Sequence, residues 1–212
     1  MSSKIQICNS ALSLLGVDEP ILSLDDDKKV ARLCKINFEL VRDELLEDHY
    51  WNFALKRKEL AKLSSGPIFD FRNAFQIPSD VVRIRKINGR PNIMYKVEGN
   101  KLLTNESKVM IQYISRETDV SLYSPSFKEA LAFSLAAKLA YSIVQSSTHM
   151  ERLQNAAMEK LRNARSLDGQ VDMPDDFVDD IFLDARMGTG GFGGRIDSNN
   201  PLQWPDPDLP ED

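Results

Sequence analysis

The sequence predicts an α+β fold, mainly α: an antiparallel bundle of about four helices, a small antiparallel β-sheet inserted between its halves, and an extended C-terminal tail. Three observations lead there. Apolar residues recur three and four apart over residues 1–50 and 119–167. Between Trp51 and Thr118 that periodicity gives way to alternation and turn signals. From Asp168 onward the chain becomes acidic and rich in Gly and Pro. The expected divisions are a first helical hairpin (1–50), a β-rich insertion (51–118), a second helical hairpin (119–167) and a tail (168–212).

The second hairpin organises the chain. In SFKEALAFSLAAKLAYSI the stripe runs through Phe127, Ala130, Leu131, Leu135, Leu139 and Ile143. Its alanines allow close approach of neighbours, and the first 50 residues are expected to pack on it. Ser126 with Glu129 three residues later has the form of a capping box. A fourth helix is expected from about His149 to Leu167, capped by Ser147 or Thr148. It would turn Leu153, Ala156, Ala157, Lys160, Leu161 and Ala164 to the bundle.

Helix one is expected from about Ser3 to Leu15, striped by Ile5, Cys8, Leu12 and Leu15. Ser2 or Ser3 caps it, and Gly16 ends it in a left-handed conformation. Helix two is expected to start at Asp25-Asp26-Asp27, where carboxylates suit the helix dipole. It carries Val30, Leu33, Cys34, Phe38, Val41 and Leu45 inward and pairs antiparallel with helix one. In the insertion, Trp51, Phe53 and Leu55 alternate as in a strand. Asn88-Gly89 marks a hairpin turn, Tyr95–Glu98 and Lys101–Thr104 flank another at Gly99-Asn100, and Val109–Ile114 forms the last strand. Phe69, Phe71 and Phe75 are apolar anchors in a loop or short strand.

Composition narrows the function. The chain has 212 residues, 42% hydrophobic, enough for a core. No run approaches the 18 or more apolar residues of a membrane span, and the N-terminus has no apolar stretch of a secretory signal. Cys8 and Cys34 lie on helical stripes and read as buried free thiols. Residues 168–212 hold 12 acids and two bases (net −10), leaving 25 bases and 20 acids (net +5) for the rest. A tail of this composition cannot build its own core, yet Phe177, Phe182, Phe192 and Trp204 interrupt it as anchors for a partner.

No constellation points to catalysis, a cofactor or a metal. His49 and His149 stand far apart without metal-ligand company, and His49 suits the end of helix two. MGTGGFGGR lacks the Gly-Lys-Ser/Thr of a phosphate-binding loop and reads as a spacer. The cations Arg83, Arg85, Lys86 and Arg90 form a possible DNA-channel or partner face, and Tyr95 or Tyr113 could stack on bases. The alternative to a structural role is therefore a nucleic-acid-binding module on this face. An enzyme with an unfamiliar site is a third reading.

ICNSALSLLG, the acids opening helix two, YWNFALKR, FQIPSDVVRIRKING, YKVEGNKLLTN, VMIQYI and SPSFKEALAFSLAAKLA follow one another over residues 5–167. In order and spacing the chain resembles the tail tubular protein A family of tailed phages. The resemblance implies a head-to-tail adaptor: a dodecameric ring beneath the portal protein that hands over to the tail nozzle and passes DNA through its lumen without sequence-specific binding. It implies no catalytic residues and no cofactor, and a place in the virion tail at the portal vertex after assembly in the host cytoplasm. In that frame the bundle supplies subunit packing, the insertion faces the next tail component, and the tail reaches a neighbour or the portal.

Overall fold

α3 (Pro125–Val144) is the spine of the fold. Phe127, Leu131, Leu135 and Leu139 are buried together with Ala130, Ala132, Ala136, Ala137 and Ala140, so the helix is covered on nearly every side. Its N-cap is Ser124, whose hydroxyl accepts from the Phe127 N–H, and Pro125 fills the first turn, where its missing N–H costs nothing. The expected cap at Ser126 is thus displaced by two residues. Gln145, left-handed at φ 54°, ends α3, and Ser146 caps α4 (Ser147–Gly169) by accepting from the His149 N–H. The predicted inner residues of α4 hold: Leu153, Ala157 and Ala164 are buried, and Ala156, Lys160 and Leu161 half-buried.

The computed structural model describes residues 3–90 and 92–171, all within one compact unit that ends at Asp172. α1 (Lys4–Leu14) starts at the Ser3 cap, which accepts from the Gln6 N–H. It ends as expected at Gly16, φ 74°. Gly16 N–H bonds the Ser13 carbonyl and Val17 N–H the Leu12 carbonyl, the paired closure that a left-handed glycine permits. α2 (Lys29–Asp48) begins later than predicted. Asp25–Asp27 lie in the preceding turn, where Asp26 accepts from the Leu22 N–H, and Asp25 and Asp27 pair with Lys35 and Arg32. The two helices do not form the expected close pair. Each packs chiefly on α3. Lys29 reaches the Ser142 carbonyl and Trp51 meets Phe127, so α2 runs antiparallel to α3. Cys8 and Cys34 are buried free thiols that neighbour each other across the α1–α2 contact.

The predicted strand at Trp51 does not form. Trp51, fully buried, donates its indole N–H to the Leu45 carbonyl at 2.7 Å, satisfying one of the last four carbonyls of α2. A 3₁₀ turn, Asn52–Ala54, follows before β1 (Leu55–Glu59). β2 (Asn73–Gln76), β3 (Val81–Ile87), β4 (Tyr95–Glu98), β5 (Lys101–Thr104) and β6 (Met110–Ser115) complete the insertion. They make two antiparallel three-stranded sheets, β1-β6-β3 and β2-β5-β4, where a single sheet was expected. Asn88-Gly89 explains the division. Both residues have positive φ, as the predicted turn demands. The Asn88 backbone and side chain, however, bond Met110 and Lys108, fastening the turn to the start of β6. β3 therefore pairs with β6, with shifts of register at Val81/Arg83 and Ile84/Lys86. β4 and β5 form their own hairpin at Gly99 as predicted.

Two cores result. The larger holds α1–α4 with Trp51 and Ile114, and the smaller holds Leu60, Phe75, Ile87, Leu102, Val109, Ile111 and Tyr113. β6 serves both because successive side chains point to opposite faces. A ring cluster joins bundle to insertion: Trp51 and Phe127 stand edge-to-face at 4.8 Å, with Phe53 4.9 Å and Tyr123 5.1 Å from Phe127. The return to α3 is fixed by Glu117, which accepts from the N–H groups of Thr118 and Asp119 and pairs with Lys56 of β1. Among the described residues, no helix is long and apolar enough to cross a membrane.

Replacing Trp51 by Phe should destabilise the protein by about 1–3 kcal/mol, because a buried carbonyl loses its donor, and by Ala about 3–5 kcal/mol. Urea unfolding followed by circular dichroism checks both. Burial pushes the Glu117 carboxyl up, but the Asp119 N–H, Lys56 and the Thr118 N–H together bring it below its ordinary 4.5. Its stabilising contribution is therefore complete above that value and lost as pH falls through the lowered folded-state value. Glu117→Gln should flatten the acid side of the stability profile below about pH 4.5 relative to the native chain.

Candidate interaction surfaces

The four cations predicted to form one face divide into two groups. Arg83 and Arg85 converge on Tyr50, their guanidinium carbons 4.6 and 5.4 Å from the ring centroid. Arg83 also donates to the Glu47 carbonyl at the C-terminal end of α2. Cation–π contact and the free carbonyls of a helix end both favour this placement. Lys86 lies opposite Gln112 in the ladder, and Arg90 follows the Asn88-Gly89 turn, its N–H on the Ile87 carbonyl. Arg83 and Arg85 thus brace sheet against bundle through Tyr50. Tyr113 hydrogen-bonds Asp80 and belongs to the small core, whereas Tyr95 on the edge strand β4 is exposed. The tail anchors Phe177, Phe182, Phe192 and Trp204 lie outside the described residues.

Asp168, the first acid of the expected tail, also closes helix four: α4 runs through it and ends at Gly169, as Asp168-Gly169 predicts. Its carboxylate, 8% exposed, accepts from the Asn52 N–H at 3.1 Å and lies 3.4 Å from His49 Nε2. Asn52 Nδ2 donates in return to the Asp168 carbonyl at 2.9 Å. His49, the C-cap of α2 as expected, also stands edge-on to Trp51. The end of α4 is thereby clasped to the α2–β1 junction, and Arg165 pairs with Asp48 one turn earlier.

Arg42 is the second residue that composition alone conceals. It is 2% exposed, pairs with Asp43 at 2.7 Å and lies beside Tyr123; Asp43 also holds Arg116 at 3.0 Å. Burial, first, raises the Tyr123 phenol to about 12 even though Arg42 opposes the shift. The signal was available in the spacing: Arg42 is four residues from Phe38 and adjacent to Val41 on the buried stripe.

Two surface features are notable for their apolar character. A groove of about 660 Å³ runs between α2 and α4 over α3, with apolar walls from Val41, Leu45, Ala157, Met158 and Leu161 and a rim of Glu44, Glu47 and Asp48. In the insertion, the β1–β2 loop exposes Ile68 (99%) and Phe69 (73%). Of the three predicted phenylalanine anchors, only Phe75 is fully buried; Phe71 is half-buried and Phe69 projects. Met94, Tyr95 and Val97, at and within β4, are exposed as well. The described residues contain no group of three or more His, Cys, Asp or Glu side chains placed to hold a metal ion.

Asp168→Ala should destabilise the protein by about 1–3 kcal/mol by leaving the Asn52 N–H unpaired, and hydrogen exchange should quicken at Asn52 and along the last turn of α4. The chain matches no protein-family model and no curated protein.

Proposed function

We propose that this protein is a structural head-to-tail adaptor of a tailed bacteriophage. It forms a ring, twelve-membered by resemblance, between the portal protein and the tail nozzle, and DNA passes through the lumen. It resides in the virion tail and acts by binding surfaces. The observation that carries this reading is the order of the family-like segments, four of which have limits that coincide with structural junctions. ICNSALSLLG runs to the glycine closing α1, YWNFALKR spans the Trp51 turn into β1, YKVEGNKLLTN is the β4–β5 hairpin, and SPSFKEALAFSLAAKLA opens at the α3 cap.

The architecture supplies what such a role requires. A ring closes through two different patches on each subunit. The bundle offers grooves on separate sides of α3, one against α2 and α4 and one of about 610 Å³ against α1. The insertion carries the exposed Ile68 and Phe69 as contacts for the next tail component. The segment beyond Val171, acidic and dotted with Phe177, Phe182, Phe192 and Trp204, is assigned to a neighbour or the portal.

Electron microscopy of the purified chain, alone and mixed with portal protein, should show rings seated on portals; absence of any ring or portal complex overturns the reading. Replacing Ile68 and Phe69 together by Asp should change stability by no more than about 0.5 kcal/mol, since both are exposed, but should prevent attachment of the next tail component. Truncation belongs after Asp172, because removal from Asp168 also breaks the clasp. Undiminished portal binding by that shortened chain overturns the role given to the tail.

A further inference from the structure

The outer face of α2 has a charge order that its own stability does not explain. Lys29 and Arg32 stand in its first half and Glu44 and Glu47 in its second, with Ile36 and Leu40 between them; all six are exposed. Spacings of three and four put them on one stripe. A helix dipole favours the reverse order, acids first and bases last. No acid occupies the first turn of α2, no base the last, and no side chain caps its start. Ile36 and Leu40 remain 64% and 60% exposed at the middle of the helix.

The same stripe is complementary to itself when reversed. An antiparallel copy aligned about the midpoint places Ile36 against Leu40, Arg32 against Glu44 and Lys29 against Glu47. By two-fold symmetry each pairing occurs twice. The helix dipoles are also opposed in this arrangement, which is favourable. Glu44 and Glu47 make no ion pair among the described residues, so both carboxylates are open to a partner. Arg32 pairs with Asp27, but both side chains are largely exposed, 63% and 96%, and such a pair exchanges easily. Lys29 reaches the Ser142 carbonyl through an exposed bond of the same kind.

We propose that the outer face of α2 is a two-fold docking surface for α2 of a second copy of this chain. The contact is one helix wide, below the size of a permanent interface, so it gives a weak, concentration-dependent dimer. It goes beyond the adaptor reading, since a ring uses head-to-tail contacts whereas this one is closed after two subunits.

Cross-linking through the full chain tests it. In the antiparallel pair, position 29 faces position 47 of the other copy, while the two positions 29 are 18 residues apart, about 27 Å. A chain carrying Lys29→Cys mixed with one carrying Glu47→Cys should oxidise to the mixed dimer, and neither should cross-link alone. The double variant K29C/E47C should stop at a dimer. A ladder of higher species means head-to-tail contact, K29C dimers alone mean parallel helices, and no cross-link means no contact; each overturns the proposal. The native thiols Cys8 and Cys34 are buried and do not compete. In sedimentation, Arg32→Glu should weaken self-association about tenfold, because two attractive pairs per dimer become repulsive. Adding Glu44→Arg should restore it, and failure to do so overturns the pairing. Glu44 and Glu47 also rim the groove between α2 and α4, whereas Arg32 does not, so the Arg32→Glu chain is the one scored for rings by microscopy: loss of the dimer with rings retained separates the two contacts.

Discussion

The edge-to-face contact of Trp51 with Phe127 is the constraint on which the rest of the structure depends. Those two residues lie 76 positions apart, one at the exit from α2 and the other in the first turn of α3. Their contact closes the chain around the whole insertion. Trp51 also ends α2 through the Leu45 carbonyl, and Phe127 gathers Phe53 and Tyr123. Helix termination, the start of β1 and the seating of α3 are therefore one packing event. Burying four rings in a single cluster supplies apolar area and directional ring contacts together.

Around that junction, polar groups determine how the insertion leaves and returns. Glu117 gathers two N–H groups and Lys56, Tyr123 donates to the Glu117 carbonyl, and Arg42 with Asp43 and Arg116 ties α2 to the end of β6. Asp168 does the same for the end of α4. These buried or half-buried groups carry little net stability beyond their packing, since each has been taken out of water. They do exclude other directions for the connecting segments, because a shifted segment would strand them unpaired.

Where apolar spacing alone decides the structure, the sequence was legible. The inner faces of α2, α3 and α4, the Gly16 closure, the β4–β5 hairpin and the free thiols all follow from patterns within a few residues. The misreadings occurred where a distant partner overrides a local pattern. Trp51-Asn52-Phe53-Ala54-Leu55 alternates like a strand, but the need of α2 for a donor and of Phe127 for a neighbour bends it into a 3₁₀ turn. Asn88-Gly89 forms its turn, yet the Asn88 side chain fastens that turn to β6 and divides one expected sheet into two. Ser126 looks like a cap, but Ser124 followed by Pro125 fits the start better. Charge groups Asp168 with its successors, although its partners, Asn52 and His49, lie more than a hundred residues earlier. Of the surface cations, spacing could place Arg83 and Arg85 on one strand but could not show that Tyr50 receives both.

The threading of the chain also shapes how the protein is made. α1 and α2 leave the ribosome early, but α3, the helix that covers them, begins only at Pro125. At ordinary elongation speeds, about 5–20 residues per second, the inner faces bearing Leu12 and Phe38 wait several seconds for their cover. The nascent chain therefore presents two bare amphipathic helices throughout synthesis of both sheets, a natural stage for chaperone attendance.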